Sequence, residues 1–412
     1  MIQWIFGLYN DSRLYTPNLR TLAFHRNSVQ LTNSYVNQLC TPTRSAFMTG
    51  YYPFRVGTQN GVFLHMEPSG VPLLFPFLPE NLRSLGYSTY LIGKWHLGYC
   101  RREFLPTSRG FDYFYGFYGP QAGYFNHSAD LWHHALKRVV RGVDLFEELG
   151  SGYSTPVFDQ NGVYSTDLFA DAAMEVIEAH DTSKPFFLFL SFQAVHPPLQ
   201  VIMWFQFIKF TAVLILKILA FSLRMLTSMD FAIGRVIDFL KATKNYEDTV
   251  VIFTSDNGGT SQFGASNYPL RGEKDTLWEG GTKTTTIVHA PKFIRLNGIR
   301  PGLFHVVDWH ATLLALAGLQ IESYGDGINQ WDYIATGFPR LRRFRFVYNI
   351  DDQGSAIRDG EFKLIHGNAD RRTLRLKLLQ LQKYMRKNVR KPVTLKGNPE
   401  MHNGSYASYW CT

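Results

Sequence analysis

Four runs of apolar, β-branched and aromatic residues punctuate the chain, each closing on Gly or polar residues: YSTYLIG (87–93), PFFLFLSF (185–192), TVVIFTSDNGG (249–259) and TTTIVHA (284–290). Such runs, apolar without strict alternation, are the pattern of strands buried on both faces. Between them, STDLFADAAMEVIEAH (165–180) and SMDFAIGRVIDFLKAT (228–243) repeat apolar residues at helical spacing, with Ser and Asp near their starts as N-cap candidates. Strands alternating with helices predict an α/β sheet whose functional groups gather beyond the carboxyl ends of the strands. After residue 340 the texture changes. RFRFVYNIDD and SAIRDGEFKLIHGN predict short antiparallel strands, and LRLKLLQLQKYMRK predicts a basic amphipathic helix. A main unit over 1–340 and a small one over 341–412 is the expected division.

One segment breaks the pattern. VIMWFQFIKFTAVLILKILAFSL (201–223) is apolar over a length that could span a bilayer, interrupted mainly by Lys209 and Lys217. A single span there would put His196 and Asp256 on opposite sides of a membrane, and the sequence shows no second span to return the chain. The pattern therefore predicts a buried helix, or a stretch foreign to the native sequence, over a membrane span.

Composition excludes a disordered or collagenous chain: of 412 residues 45% are hydrophobic and 18% charged. The net charge of +9 invites a nucleic-acid reading, but ten Lys or Arg and no acid stand between Arg371 and Lys396, leaving the rest near neutral. No nucleic-acid partner is expected. Cys40, Cys100 and Cys411 are too scattered for a zinc site or a disulfide framework, although Cys100 and Cys411 could pair. Sequons at Asn10, Asn126 and Asn403 permit a glycoprotein, while MIQWIFGLYNDSR carries no readable signal peptide.

The sharpest motif is LCTPTRSAFMTG (39–50), which sets Pro42 and Arg44 two and four residues after Cys40. GKWHLG (93–98) presents Lys94 and His96 after a strand, and VHPPLQ (195–200) presents His196 after another. TSDNGG (254–259) ends a third with Asp256 and Asn257, a carboxylate and an amide that suit a hard cation. PLRGEKDTLWEGGTKT (269–284) adds Lys274. Taken singly, each has a bland counterpart: a small buried Cys, a polar loop, a structural His, a DNGG turn, a solvated Lys.

Together, in this order, they resemble the sulfatase family. TPNL (16–19), LPTSRGFDYFYGF (105–117), HVVDWHATLLALAG (305–318) and AIRDGEFKLIHGN (356–368) extend the resemblance over most of the chain and are similar to the arylsulfatase B branch. The resemblance implies an alkaline-phosphatase-like mixed sheet flanked by helices, with a small C-terminal domain of antiparallel sheet plus helix. It implies that Cys40 is oxidised to formylglycine by the formylglycine-generating enzyme. The hydrated aldehyde would supply the nucleophile, and its second hydroxyl would expel the bound sulfate. It further implies Arg44 stabilising that residue, Lys94 and Lys274 on the sulfate oxygens, His196 protonating the leaving alcohol and His96 assisting elimination. Ca²⁺ would be held by Asp256, Asn257 and the residue at Cys40. The implied substrate is a sulfated sugar, N-acetylgalactosamine 4-sulfate of glycosaminoglycans, and the implied location is lysosomal or secreted.

Two departures temper this. The family's Asp-Asp pair, expected on a first strand upstream of the Cys, has no match in the opening residues, where Asp11 is the only acid. The apolar segment stands where a mostly polar loop is implied. The alternatives are a catalytically impaired sulfatase-like protein or a truncated gene model; a phosphatase of the wider superfamily fits CxPxR poorly.

Overall fold

A computed structural model describes residues 15–133, 137–150, 152–202 and 214–368. In chain order its principal elements are α1 (Pro17–Phe24), β1 (Ser28–Tyr35), α2 (Cys40–Thr49), β2 (Ser88–Lys94), β3 (Tyr113–Phe117), β4 (Phe146–Leu149), β5 (Ser154–Pro156) and α3 (Ser165–Ala179). There follow β6 (Phe186–Ser191), α4 (Leu214–Ala242), β7 (Val251–Phe253), β8 (Lys283–His289), β9 (Gly298–Arg300), β10 (Phe304–His305), α5 (Asp308–Leu316), β11 (Arg345–Ile350), β12 (Gly354–Asp359) and β13 (Phe362–Gly367).

Among the described residues the strands form two principal sheets. One runs β9–β1–β8–β7, with β10 also on β1; β8 is antiparallel to both β1 and β7, and Tyr35 lies opposite Lys283. The other runs β5–β4–β3–β2–β6, its β3, β2 and β6 parallel. The four apolar runs thus become β2, β6, β7 and β8. Alanines 170 and 173 of α3 meet Ala232, Val236 and Leu240 of α4 above Leu188, Leu190 and Val251, so one helix pair covers the neighbouring edges of both sheets. A small antiparallel sheet, β11–β12–β13, follows. Its Phe346, Tyr348 and Ala356 enter the same core as Val29, Leu31 and Trp309.

The junction is polar as well as apolar. Buried Arg343 donates from Nε to Asp308 Oδ2 (2.8 Å) and from Nη1 to Tyr52 Oη (3.1 Å), while Asp308 also accepts from the backbone N–H of His305 and Ile328. The basic helix expected after β13 lies outside the described residues.

Two expectations about helix starts need correction. Ser228 does not cap a helix: α4 begins upstream at Leu214, because the leucine-rich second half of the apolar segment continues straight into the amphipathic one. Ser165 is the first residue of α3, not its cap, and its hydroxyl donates to Gln193 Oε1 (3.1 Å). Residues 203–213 of the apolar segment lie outside the described residues, and no described helix is long and apolar enough to cross a membrane.

Candidate active site

The carboxyl ends of β2, β6 and β7 and the amino end of α2 converge on Cys40. The backbone turns into α2 there because Pro42, in its first turn, lacks an N–H that would have no intrahelical partner anyway. Cys40 is 2% exposed. Its thiol donates to Asn257 Oδ1 (3.3 Å) and accepts from Lys274 Nζ (3.4 Å). The first-turn amides of α2 add partial positive charge beside it.

One turn on, Arg44 ties three elements together. Nη1 donates to the Lys94 carbonyl (2.8 Å), Nη2 to Ser191 Oγ (2.9 Å), and Nε lies 3.6 Å from Asp256 Oδ2. Thr43 supports the same junction, its hydroxyl donating to the Asp256 carbonyl and accepting from the Asn37 N–H (3.0 Å). Gly258 packs against the Gly280 carbonyl so closely that a Cβ would fall 1.8 Å from that oxygen. Only glycine lets the Asp256–Asn257 turn sit there.

Lys94 ends β2 with its side chain buried. Burial foremost, with Arg44 and Lys274 adding repulsion, pushes its pKa down to about 8 against the pull of Cys40 and Asp256. His96 follows in a left-handed conformation (φ 60°), unusual for a residue with a Cβ and a mark of functional sites. Its Nε2–H donates to the Phe63 carbonyl (2.8 Å), and its Nδ1 is buried with no partner. That leaves a bare acceptor. His196 donates from Nδ1 to the Pro197 carbonyl (2.8 Å), and Tyr124 Oη holds its backbone carbonyl (2.8 Å). Burial, then Lys94 and Lys274, lowers the His196 pKa to about 3. Burial alone would raise the Asp256 carboxyl, but Arg44, Lys94, Lys274 and His196 outweigh it and hold the group below the usual carboxylate range.

Every candidate from the motif reading therefore enters one cluster: Cys40, Arg44, Lys94, His96, His196, Asp256, Asn257 and Lys274. Ser191, Thr43 and Asn37 belong to it as well and were not singled out by sequence. Ser191 closes an apolar strand, which was the available signal; Thr43 and Asn37 carried none.

Asp256, Asn257 and Cys40 are adjacent, as a shared cation site requires, but their chemistry does not fit Ca²⁺. That ion takes six to eight oxygens, usually with several carboxylates. Here one carboxylate faces Arg44, the amide oxygen accepts the Cys40 S–H, and two ammonium groups stand close by. No group of three His, Cys, Asp or Glu that could hold a metal ion occurs among the described residues.

The Sulfatase family model matches residues 3–319. The chain belongs to the sulfatase family. It is 36% identical over 361 residues to mouse arylsulfatase J, an alignment covering 87% of this chain and 58% of that protein. It is 30% identical over 337 residues to pig N-acetylgalactosamine-6-sulfatase, with 77% and 60% covered. The chain thus spans less than two thirds of these relatives. Among solved structures, Ps i-CgsB in complex with k-i-k-neocarrahexaose superposes with a TM-score of 0.74 at 25% identity, covering 92% of this chain and 88% of that one. A phosphonate monoester hydrolase from Silicibacter pomeroyi shares the fold at 17% identity (TM-score 0.61). The architecture is the alkaline-phosphatase-like α/β fold of this family.

Proposed function

We propose that the chain is a sulfuric ester hydrolase acting on a sulfated sugar, with a nucleophile derived from Cys40. The observation that carries this is the setting of Cys40: buried at a helix start, between the Asn257 amide oxygen and the Lys274 ammonium, with His96 Nδ1 an unpartnered acceptor in the same cluster. A sulfate ester resists attack because its oxygens are negative, so a site needs cations and an activated nucleophile. Oxidised to formylglycine, the residue would supply a geminal diol. Lys94 and Lys274 would offset charge on the sulfate oxygens, and Arg44 would hold the Asp256 carboxylate and the β2 and β6 ends in register. His96 Nδ1 would receive a hydroxyl proton, and His196 Nε2, protonated from solvent once the sulfate dianion offsets Lys94 and Lys274, would pass that proton to the leaving alcohol. The described residues provide too few anionic oxygens to hold Ca²⁺.

The substrate assigned is N-acetylgalactosamine 4-sulfate within glycosaminoglycans, following the arylsulfatase B resemblance; the pig relative is named for the 6-sulfate. Residues 1–340 would form the catalytic unit and 341–412 the small one. Lysosomal or secreted location fits the exposed sequon residue Asn126 and the oxidation of Cys40 during secretion. The deciding experiment expresses the chain in cells with the formylglycine-generating enzyme, reads Cys40 by peptide mass, and assays an aryl sulfate and then 4- and 6-sulfated disaccharides. Conversion at Cys40 with turnover supports the proposal. Conversion without turnover favours the second reading, a catalytically impaired sulfatase-like protein, to which Asp256 as the one carboxylate among the described pocket residues points.

A further inference from the structure

We propose that the pocket of this chain takes up a sulfate group through its own cations, with no divalent metal bridging it. The inference rests on the reading of the pocket as a sulfate site and departs from it on the metal. Among the described residues three basic side chains, Arg44, Lys94 and Lys274, act on one carboxylate, Asp256, so three against one leaves a surplus of two positive charges. Both histidines are held in their neutral forms by burial and by those cations. A surplus of two is the complement of a sulfate dianion and repels a divalent cation.

The donors point the same way. Oxygens a metal could use already face protein groups: Asn257 Oδ1 accepts from the Cys40 thiol, the Asp256 carbonyl from Thr43, and Asp256 Oδ2 lies 3.6 Å from Arg44 Nε. The groups an anion would use are in surplus. Lys94 is 3% exposed and makes no hydrogen bond or ion pair among the described residues, and Arg44 Nε, buried, makes no hydrogen bond, its ion pair with Asp256 Oδ2 standing at 3.6 Å. Asp256 is, on this view, a counter-ion that sets the cations in place and weakens the hold on an anion.

The role of Asp256 gives the test its sign. Radiolabelled inorganic sulfate is dialysed against the full chain in EDTA and in millimolar Ca²⁺, for the unaltered protein, Asp256→Asn and Lys274→Met, with circular dichroism confirming each fold. The inference expects equal affinity in the two media, about tenfold weaker binding by Lys274→Met, and several-fold tighter binding by Asp256→Asn. Binding that appears only with Ca²⁺, or that Asp256→Asn abolishes in a folded chain, would overturn it. Failure of folded, unaltered protein to bind sulfate in either medium overturns it too. Turnover of an aryl sulfate is read separately: sulfate bound in EDTA by a chain that turns nothing over sustains this inference and defeats the hydrolase reading.

Discussion

A proton on His196 is opposed from two sides, by Lys94 and by Lys274, and its own burial opposes it further. Since Nδ1–H is spent on the Pro197 carbonyl, Nε2 is a lone pair until the ring is protonated. A sulfate dianion between the two lysines would cancel their repulsion, so sulfate should raise the His196 pKa by more than about one unit from its value near 3. Nitrogen-resolved NMR titration of the imidazole with and without sulfate measures this, and an unmoved titration would mean the anion sits elsewhere. Lys94 gives the opposite limb. Its ammonium is the charged form below about pH 8 and is lost above it, so sulfate affinity should be flat through neutrality and fall as pH rises past 8. Lys94→Met should bind more weakly and lose that fall; a fall that persists in the variant would assign it to another group. Cys40→Ala should abolish turnover while the folded chain still binds sulfate, at a stability cost of about 1 kcal/mol for the lost buried sulfur. Turnover retained in that variant would refute the nucleophile assignment.

Reading strand ends worked where strands were apolar. Lys94 closes β2, His196 follows β6 and Asp256 follows β7 because an α/β layer buries the strand bodies and leaves their ends to polar chemistry. β1 escaped because its sequence, SVQLTNSY, is half polar. The fold satisfies those groups one by one: Gln30 Nε2 donates to the Ala23 carbonyl (3.2 Å), Asn33 Nδ2 to the Pro301 carbonyl (2.9 Å), and Ser34 Oγ accepts from Thr286 (2.9 Å). A helix start can be held just as remotely. The N-terminus of α1 is held by Asp230 of α4, whose carboxylate accepts from the backbone N–H of Asn18 (3.0 Å) and Leu19 (2.8 Å). A cap more than two hundred residues away leaves no local pattern. At the same scale, Arg343 fastens the small sheet to the body. Arg343→Met would strand the Asp308 carboxylate, 0% exposed, in the core, and breaking such a pair costs about 3–5 kcal/mol. Chemical denaturation should show that loss with an unchanged slope; a change within about 0.5 kcal/mol would show the pair to be dispensable.

At the scale of the molecule, β6 ends one sheet and β7 ends the other, and among the described residues neither pairs on its outer edge. Both belong to one covering layer, since Leu188, Leu190 and Val251 share a cluster under α3 and α4. All but Ser191 of the β6 residues are only half-buried, although FFLFLS is the composition of a strand covered on both faces. Such edges accept a further strand. The Asp-Asp strand implied by the sulfatase resemblance has no counterpart among the described residues. A strand grafted at the N-terminus, apolar through its body and ending in Asp-Asp, would pair with β6 and β7, join the two sheets, and deliver two carboxylates beside Asp256. Three carboxylates against three cations would remove the surplus that repels Ca²⁺. Saturating Ca²⁺ should then stabilise the grafted chain by about 2.7 kcal/mol at a hundredfold excess over its dissociation constant, and leave the ungrafted chain unmoved. Thermal unfolding of the two chains with and without Ca²⁺ separates the cases. A grafted chain that folds, shows added strand content and still ignores Ca²⁺ would mean that the cations of this pocket dominate whatever carboxylates are supplied. A shift in the ungrafted chain would instead place a cation site in this molecule that Asp256 and Asn257 alone do not explain.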